Sequence, residues 1–203
     1  MKKLLSSLAV VLMLGAAISP AKADLYSFDY VATATTLTGG LPYEAHGTIT
    51  TGSLLGSALG RTWYSITAIS GFTTGALGGT INGMVSGSVL PPTMLTSPSS
   101  LWLYDNALAP GGPTVFALGG VAFTTPGNRE WNLWGNSSDE SNVSVPGAYT
   151  LWSKVVGAQG TYDVQTTGTL TISAVPEPET YAMLLAGLGL MGFVARRRAQ
   201  AAA

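Results

Sequence analysis

Short runs in which apolar and polar residues alternate fill the middle of the chain. Residues 25–36 and 61–70 alternate aromatic or aliphatic positions with Ser, Thr and Asp, as expected for strands with one buried face. Further runs of this kind are 43–51, 80–89, 101–104, 114–124, 130–134, 148–155 and 160–173. Gly, Pro and Asn clusters separate them, and no window sustains a helical stripe. The pattern predicts an all-β body over residues 24–174, built as an antiparallel β-sandwich or jelly roll.

The uncharged Gly- and Thr-rich stretch at residues 73–87 offers an alternative to the sandwich. Repeated pairing of Gly with Thr or Ser is compatible with a β-solenoid that has a flat binding face. A solenoid requires a fixed repeat length, and the body contains none. The sandwich or jelly roll is therefore the preferred prediction.

The first 23 residues have the three parts of a secretory signal. Lys2 and Lys3 precede an apolar run over residues 4–18, and Ala21 and Ala23 form a small-x-small cleavage site. We expect a signal helix over residues 1–23, export by Sec-type machinery and cleavage before Asp24. An uncleaved membrane anchor is the alternative, but the run is short for a membrane span.

A second apolar run lies near the C-terminus. Residues 181–195 contain no charge and are followed at once by Arg196, Arg197 and Arg198, an arrangement typical of a stop-transfer signal. We therefore predict a transmembrane helix over residues 180–195 and a cytoplasmic tail over 196–203. At ~1.5 Å per residue the apolar run reaches about 22 Å, so interfacial anchoring has to cover part of the ~30 Å hydrocarbon core. A buried core helix is the alternative, which the three arginines disfavour.

Two prolines separated by one residue precede this run, in the sequence Val175-Pro176-Glu177-Pro178-Glu179. Because proline restricts itself and the residue before it, we expect an extended linker over residues 175–179. The linker, the apolar run and the Arg cluster together resemble the PEP-CTERM sorting signal. The resemblance covers about 25 of the 203 residues.

The resemblance implies a route for the protein and leaves the activity of the body open. It implies recognition of Val175, Pro176, Glu177 and Pro178 by an exosortase, a membrane protease or transpeptidase of Gram-negative bacteria. It also implies transient anchoring in the inner membrane before the protein reaches the cell surface or extracellular matrix. Proteins of this class are commonly linked to exopolysaccharide and biofilm production.

Composition excludes several kinds of chemistry. The chain has 203 residues, no Cys, one His and only 9% charged residues, so thiol catalysis, Cys-ligated zinc, iron–sulfur clusters and multi-His metal sites are ruled out. Residues 24–174 contain three basic and eight acidic residues, which gives the body a net charge of −5. The body therefore has no cluster of basic residues that would bind nucleic acid. We also expect no cofactor and no metal.

The sequence contains no recognisable set of catalytic residues. His46 is the sole candidate base, and no serine lies in a Gly-x-Ser-x-Gly elbow. Alternation along a strand places Glu44 and His46 on one face, as a solvent-facing pair or a weak ligand couple. Residues 135–142 form a polar loop that could hold Ca²⁺ but lacks EF-hand spacing, so a solvated loop is preferred. A non-catalytic body is therefore expected.

Aromatic residues beside amide and carboxylate groups are candidates for sugar recognition, although Trp is more often a core residue in a small β-domain. The candidate sugar-contact residues are Trp102, Asp105, Asn106, Trp131 and Trp134.

We therefore expect an exported, adhesive or polysaccharide-associated surface protein. One alternative is a secreted polysaccharide hydrolase with two facing carboxylates from among Glu44, Asp105, Glu130, Asp139, Glu140 and Asp163. The other alternative is a periplasmic protein that stays anchored in the inner membrane and is never processed.

Overall fold

The structure is a computed structural model that describes residues 25–35, 43–75, 77–111, 115–135, 149–158, 163–176 and 178–201. It divides into two compact units, one formed by residues 24–174 and the other by residues 1–23 with 175–203. The signal helix and its cleavage residues, Ala21 and Ala23, lie outside the described residues. So do Glu177 and residues 136–148, which include most of the polar loop.

The body is built from antiparallel strands, which confirms the all-β prediction. The longer strands are β1 (Leu25–Thr35), β2 (Glu44–Ala58), β3 (Arg61–Thr73), β9 (Val121–Thr125), β10 (Arg129–Gly135), β11 (Tyr149–Val155) and β12 (Val164–Ala174). The two-residue strands are β4 (Gly79–Thr80), β5 (Gly83–Met84), β6 (Leu95–Thr96), β7 (Leu103–Tyr104) and β8 (Ala107–Leu108).

Most of these strands join into one continuous, curled sheet. Its order is β4-β3-β2-β1-β12-β11-β10-β9-β5, with β8 also paired to β3, while β6 and β7 form a separate hairpin. Residues 79–85 link the two ends of the sheet: the amide of Ile81 donates to the carbonyl of Gly71 in β3, and that of Asn82 to Thr124 in β9. The predicted sandwich needs two stacked sheets, whereas these strands form one sheet that curls around its own core.

The core lies on the inner face of the curled sheet. Tyr26, Phe28 and Tyr30 alternate into it along β1, as the sequence pattern predicts, and each is at most 7% exposed. In β10 and β9 of the same sheet, the buried rings of Trp131 and Phe123 stack on each other with an interplanar angle of 5°. Aromatic burial of this extent supplies a large apolar area to a small domain.

The C-terminal unit contains one described helix, α1 (Pro178–Ala201). The sequence predicted an extended linker through residue 179 and a helix over 180–195, so the helix is longer at both ends. Pro178 begins it because the first helical position needs no backbone N–H donor. Arg and Ala are strong helix formers, which accounts for its continuation past residue 195. Within the described residues, the structure contains no helix with the length and apolarity needed to span a membrane.

Candidate functional site

The sorting segment begins where the last strand of the body ends. β12 finishes at Ala174, Val175 and Pro176 have no regular structure, and α1 starts at Pro178. Large apolar side chains project from all sides of α1 and are between 42% and 68% exposed: Tyr181, Met183, Leu184, Leu185, Leu188, Leu190, Met191, Phe193 and Val194. The apolar positions of α1 are therefore not confined to one face of the helix.

Arg196, Arg197 and Arg198 lie at the C-terminal end of α1 and are exposed. Arg198 occupies the last turn, where a positive charge interacts favourably with the helix dipole. The three guanidinium groups thus directly follow the apolar part of the helix, in the order expected of a stop-transfer signal.

The structure places Trp131, Asp105 and Asn106 inside the body. Trp131 is fully buried, and its Nε1–H donates to Thr125 Oγ1 at 2.9 Å. The amide nitrogen of Asn106 donates to the carbonyls of Val85 and Gly87, at 2.7 and 2.8 Å. Its Oδ1 accepts from the amide of Ala122. All three side chains are buried, and Trp131 and Asn106 also use their polar atoms within the fold, so none of the three faces an external sugar.

Asp105 is a buried carboxyl group beside Asn106. Its Oδ1 accepts from the amide of Ala107 at 3.0 Å, and the side chain is 0% exposed. Burial raises the pKa of Asp105 to about 8, although hydrogen bonds from the amides of Ala107, Gly120 and Gly119 act in the opposite direction. The group is therefore mostly protonated at neutral pH.

The two remaining candidate sugar contacts differ in exposure. Trp102 is 6% exposed, whereas Trp134 is partly exposed and packs edge-on against Trp152 at a centroid distance of 5.3 Å. The structure therefore does not bring the five candidates together as an exposed aromatic platform.

The described candidate catalytic carboxylates each contact a different partner. Glu130 is 0% exposed and accepts a hydrogen bond from the amide of Ser99 at 3.0 Å. Burial raises its pKa, while hydrogen bonds from Ser99, Ser97 and Trp102 oppose this rise. Asp163 forms an ion pair with Arg129 at 2.9 Å. Asp139 and Glu140 lie outside the described residues.

His46 lies between two carboxylates on the outer face of the sheet. Its Nε2 is 3.0 Å from Glu44 Oε2, in agreement with the predicted shared face, and its Nδ1 is 3.1 Å from Asp29 Oδ1. Because carboxylates only accept, the ring donates to both when both of its nitrogens are protonated. The carboxylates approach opposite ring nitrogens, and among the described residues no group of three or more His, Cys, Asp or Glu side chains could hold a metal ion.

A polar surface that the sequence analysis did not single out surrounds this trio. It is the outer face of β12, β1, β2 and β3, and we call it the hydroxyl face. Its described positions are Thr167, Thr169, Thr171, Ser173, Ser27, Asp29, Val31, Thr33, Glu44, His46, Thr48, Thr50, Ala68, Ser70 and Phe72. In the sequence, the hydroxyl face is indicated only by the alternating Ser and Thr residues of β12. Which residues of the neighbouring strands lie beside them is known only from the strand register.

Comparison with known proteins identifies the C-terminal segment alone. Residues 174–198 match the family model described as the PEP-CTERM protein-sorting motif. No curated protein and no solved structure gives a significant match to the chain. The chain thus carries a PEP-CTERM sorting motif at its C-terminus, which supports an exported protein that an exosortase processes.

Proposed function

We propose that this chain is a surface or matrix protein of a Gram-negative bacterium, exported by Sec-type machinery and then handed to an exosortase-like enzyme. The observation that carries the proposal is the sorting motif, which directly follows the last strand of the body. Val175 to Pro178 would be the recognised segment, which in chain order follows the last strand and ends at the first residue of α1.

In this proposal α1 holds the precursor in the inner membrane until processing. The support is its chemistry: apolar side chains on every side would lie against lipid, and Arg196 to Arg198 would remain at the cytoplasmic surface. The uncharged run is shorter than the hydrocarbon core is thick. A helix that is anchored only weakly in the membrane is consistent with a protein that is held there transiently.

We further propose that the body acts by adhesion to polysaccharide and not by catalysis. Asp105 and Glu130 are buried and each accepts a hydrogen bond from a backbone amide, and Asp163 is paired with Arg129. These contacts favour structural roles for the three acids over a facing catalytic pair. In this proposal the partner binds an exposed surface of the sheet.

Replacing Pro176-Glu177-Pro178 with three alanines tests the routing proposal. We expect export to continue while the surface-exposed fraction falls at least tenfold, with the precursor accumulating in the inner membrane. Membrane fractionation and immunoblotting of the native host measure this. The matched control, Gly187→Ala, alters α1 where an added Cβ meets nothing within 4 Å, and should leave routing intact. Normal surface levels of the triple-alanine variant would contradict the proposal. They would mean that the protein reaches the surface by a route that does not need this motif.

A further inference from the structure

The hydroxyl face forms a regular array across four neighbouring strands. Ser173, Ser27, Thr48 and Ser70 occupy one row in register, and Thr171, Asp29, His46 and Phe72 occupy the next. Neighbouring strands lie about 4.8 Å apart, and the rows are separated by roughly 7 Å along each strand. Hydroxyls pair within the first row, with Ser27 Oγ 2.7 Å from Ser173 Oγ and Thr48 Oγ1 2.9 Å from Ser70 Oγ. Each hydroxyl keeps further hydrogen-bonding capacity for a ligand.

The accessible negative charge of the described body is concentrated on this face. Among its five described acids, Asp105 and Glu130 are buried, and Asp163 is paired with Arg129. The other two are Asp29 and Glu44, whose side chains are 57% and 37% exposed. Both contact a single imidazole, so the trio keeps a net negative charge even when His46 is protonated. The described positions of the face include no Lys or Arg.

Two large exposed apolar side chains accompany these charges. Val31 is 39% exposed, and Phe72 is 50% exposed with its ring centroid 5.2 Å from that of His46. An accessible ring beside carboxylates and hydroxyls can contact the apolar face of a sugar while the polar groups bind its substituents. The ring also provides a π-face for a ligand cation.

We propose that the hydroxyl face is a docking surface for an amino-sugar polysaccharide whose ammonium groups approach Asp29 and Glu44. This inference rests on the proposed polysaccharide-associated role of the body and specifies its ligand class. Charge complementarity selects the class: a cationic polymer is attracted, an anionic one is repelled, and a neutral one gains no ionic contact. The hydroxyl rows bind the sugar hydroxyls, and Phe72 packs against a sugar ring.

Binding of the full chain, in mild detergent, to soluble chitosan at mildly acidic pH tests this surface. We expect chitosan to bind at least tenfold more tightly than a neutral soluble cellulose derivative, and the preference should shrink as salt is added. Asp29→Asn combined with Glu44→Gln should reduce chitosan affinity at least tenfold. Glu179→Gln, which removes a carboxylate outside the body, should have no such effect.

The apolar contact has its own matched pair of variants. Phe72→Ala should weaken chitosan binding about fivefold or more, because the ring contact is lost. Leu103→Ala removes a side chain that is equally exposed, at 51%, but lies in β7 away from the face, and should leave binding unchanged. Circular dichroism verifies that each variant is folded.

Three results would overturn the assignment: no chitosan binding, equal binding of the neutral polymer, or undiminished binding by a folded Asp29→Asn, Glu44→Gln double variant. None of these three results would contradict the sorting proposal, because routing is measured separately, by fractionation of the native host. Loss of routing in the triple-alanine variant and loss of chitosan binding in the face variants are therefore separable.

Discussion

Gly71→Ala should destabilise the body by about 4 kcal/mol or more, a large part of the ~5–15 kcal/mol that stabilises a typical domain. Gly71 in β3 lies directly opposite Gly47 in β2, with a φ of 136° that side chains rarely adopt. An added Cβ would overlap the carbonyl oxygen of His46 and lie 2.6 Å from Cα of Gly47. Both neighbours are backbone atoms, so relief requires the two strands to separate. Urea unfolding of the full chain in mild detergent, followed by Trp fluorescence, measures the loss.

Gly83→Ala is the matched control for this prediction. Gly83 in β5 has a similar φ of 152°, but an added Cβ would meet nothing within 4 Å. Its cost should be limited to backbone strain, about 1–3 kcal/mol. Equal destabilisation by the two substitutions would show that the approach of β2 and β3 is looser than described.

The body should become less stable as pH rises from about 4 to about 8. Over this range folded Asp105, whose pKa burial raises to about 8, holds a proton that the unfolded chain has released. The free energy of unfolding therefore falls by about 1.4 kcal/mol per pH unit from this group. Glu130 contributes in the same direction because burial also raises its pKa.

Asp105→Asn isolates this contribution, because the amide has a similar shape and cannot titrate. We expect the slope of unfolding free energy against pH to become less negative by about 1.4 kcal/mol per unit between pH 5 and 7. Urea titrations at several pH values give both slopes. Parallel slopes in the two proteins would mean that Asp105 is already ionised in the folded state.

Local patterns predicted the strands but not the contacts that cover the outer face of β10. Period-two alternation gave the inner aromatic positions of β1 correctly, because they depend on neighbours along the chain. Glu130 and Asn132 point to the opposite face of their strand and are nevertheless buried, with Glu130 bonded to Ser99 and Asn132 to the carbonyl of Leu103. These contacts span about thirty residues and leave no periodic signal.

The prediction of the sugar site failed for the same reason, because contacts between residues far apart in the chain are not visible in the sequence. Aromatic and amide residues close in sequence looked like a binding platform, yet Asn106 and Trp131 use their polar atoms within the fold. The hydroxyl face is visible in sequence only as alternation in single strands. Its assembly depends on β12 pairing with β1, across a separation of more than 130 residues. The sorting motif, by contrast, is a contiguous linear signal, and the family match over residues 174–198 confirms its presence.

The central claim, that the C-terminus directs sorting and processing, is tested most directly by the mass of the mature protein. Protein isolated from the surface of the native host should lack α1 and the tail that contains Arg196 to Arg198. Its C-terminal peptide should end near Val175 to Pro178, either free or joined to a new group. A mature surface protein whose mass includes an intact chain through Ala203 would contradict the account.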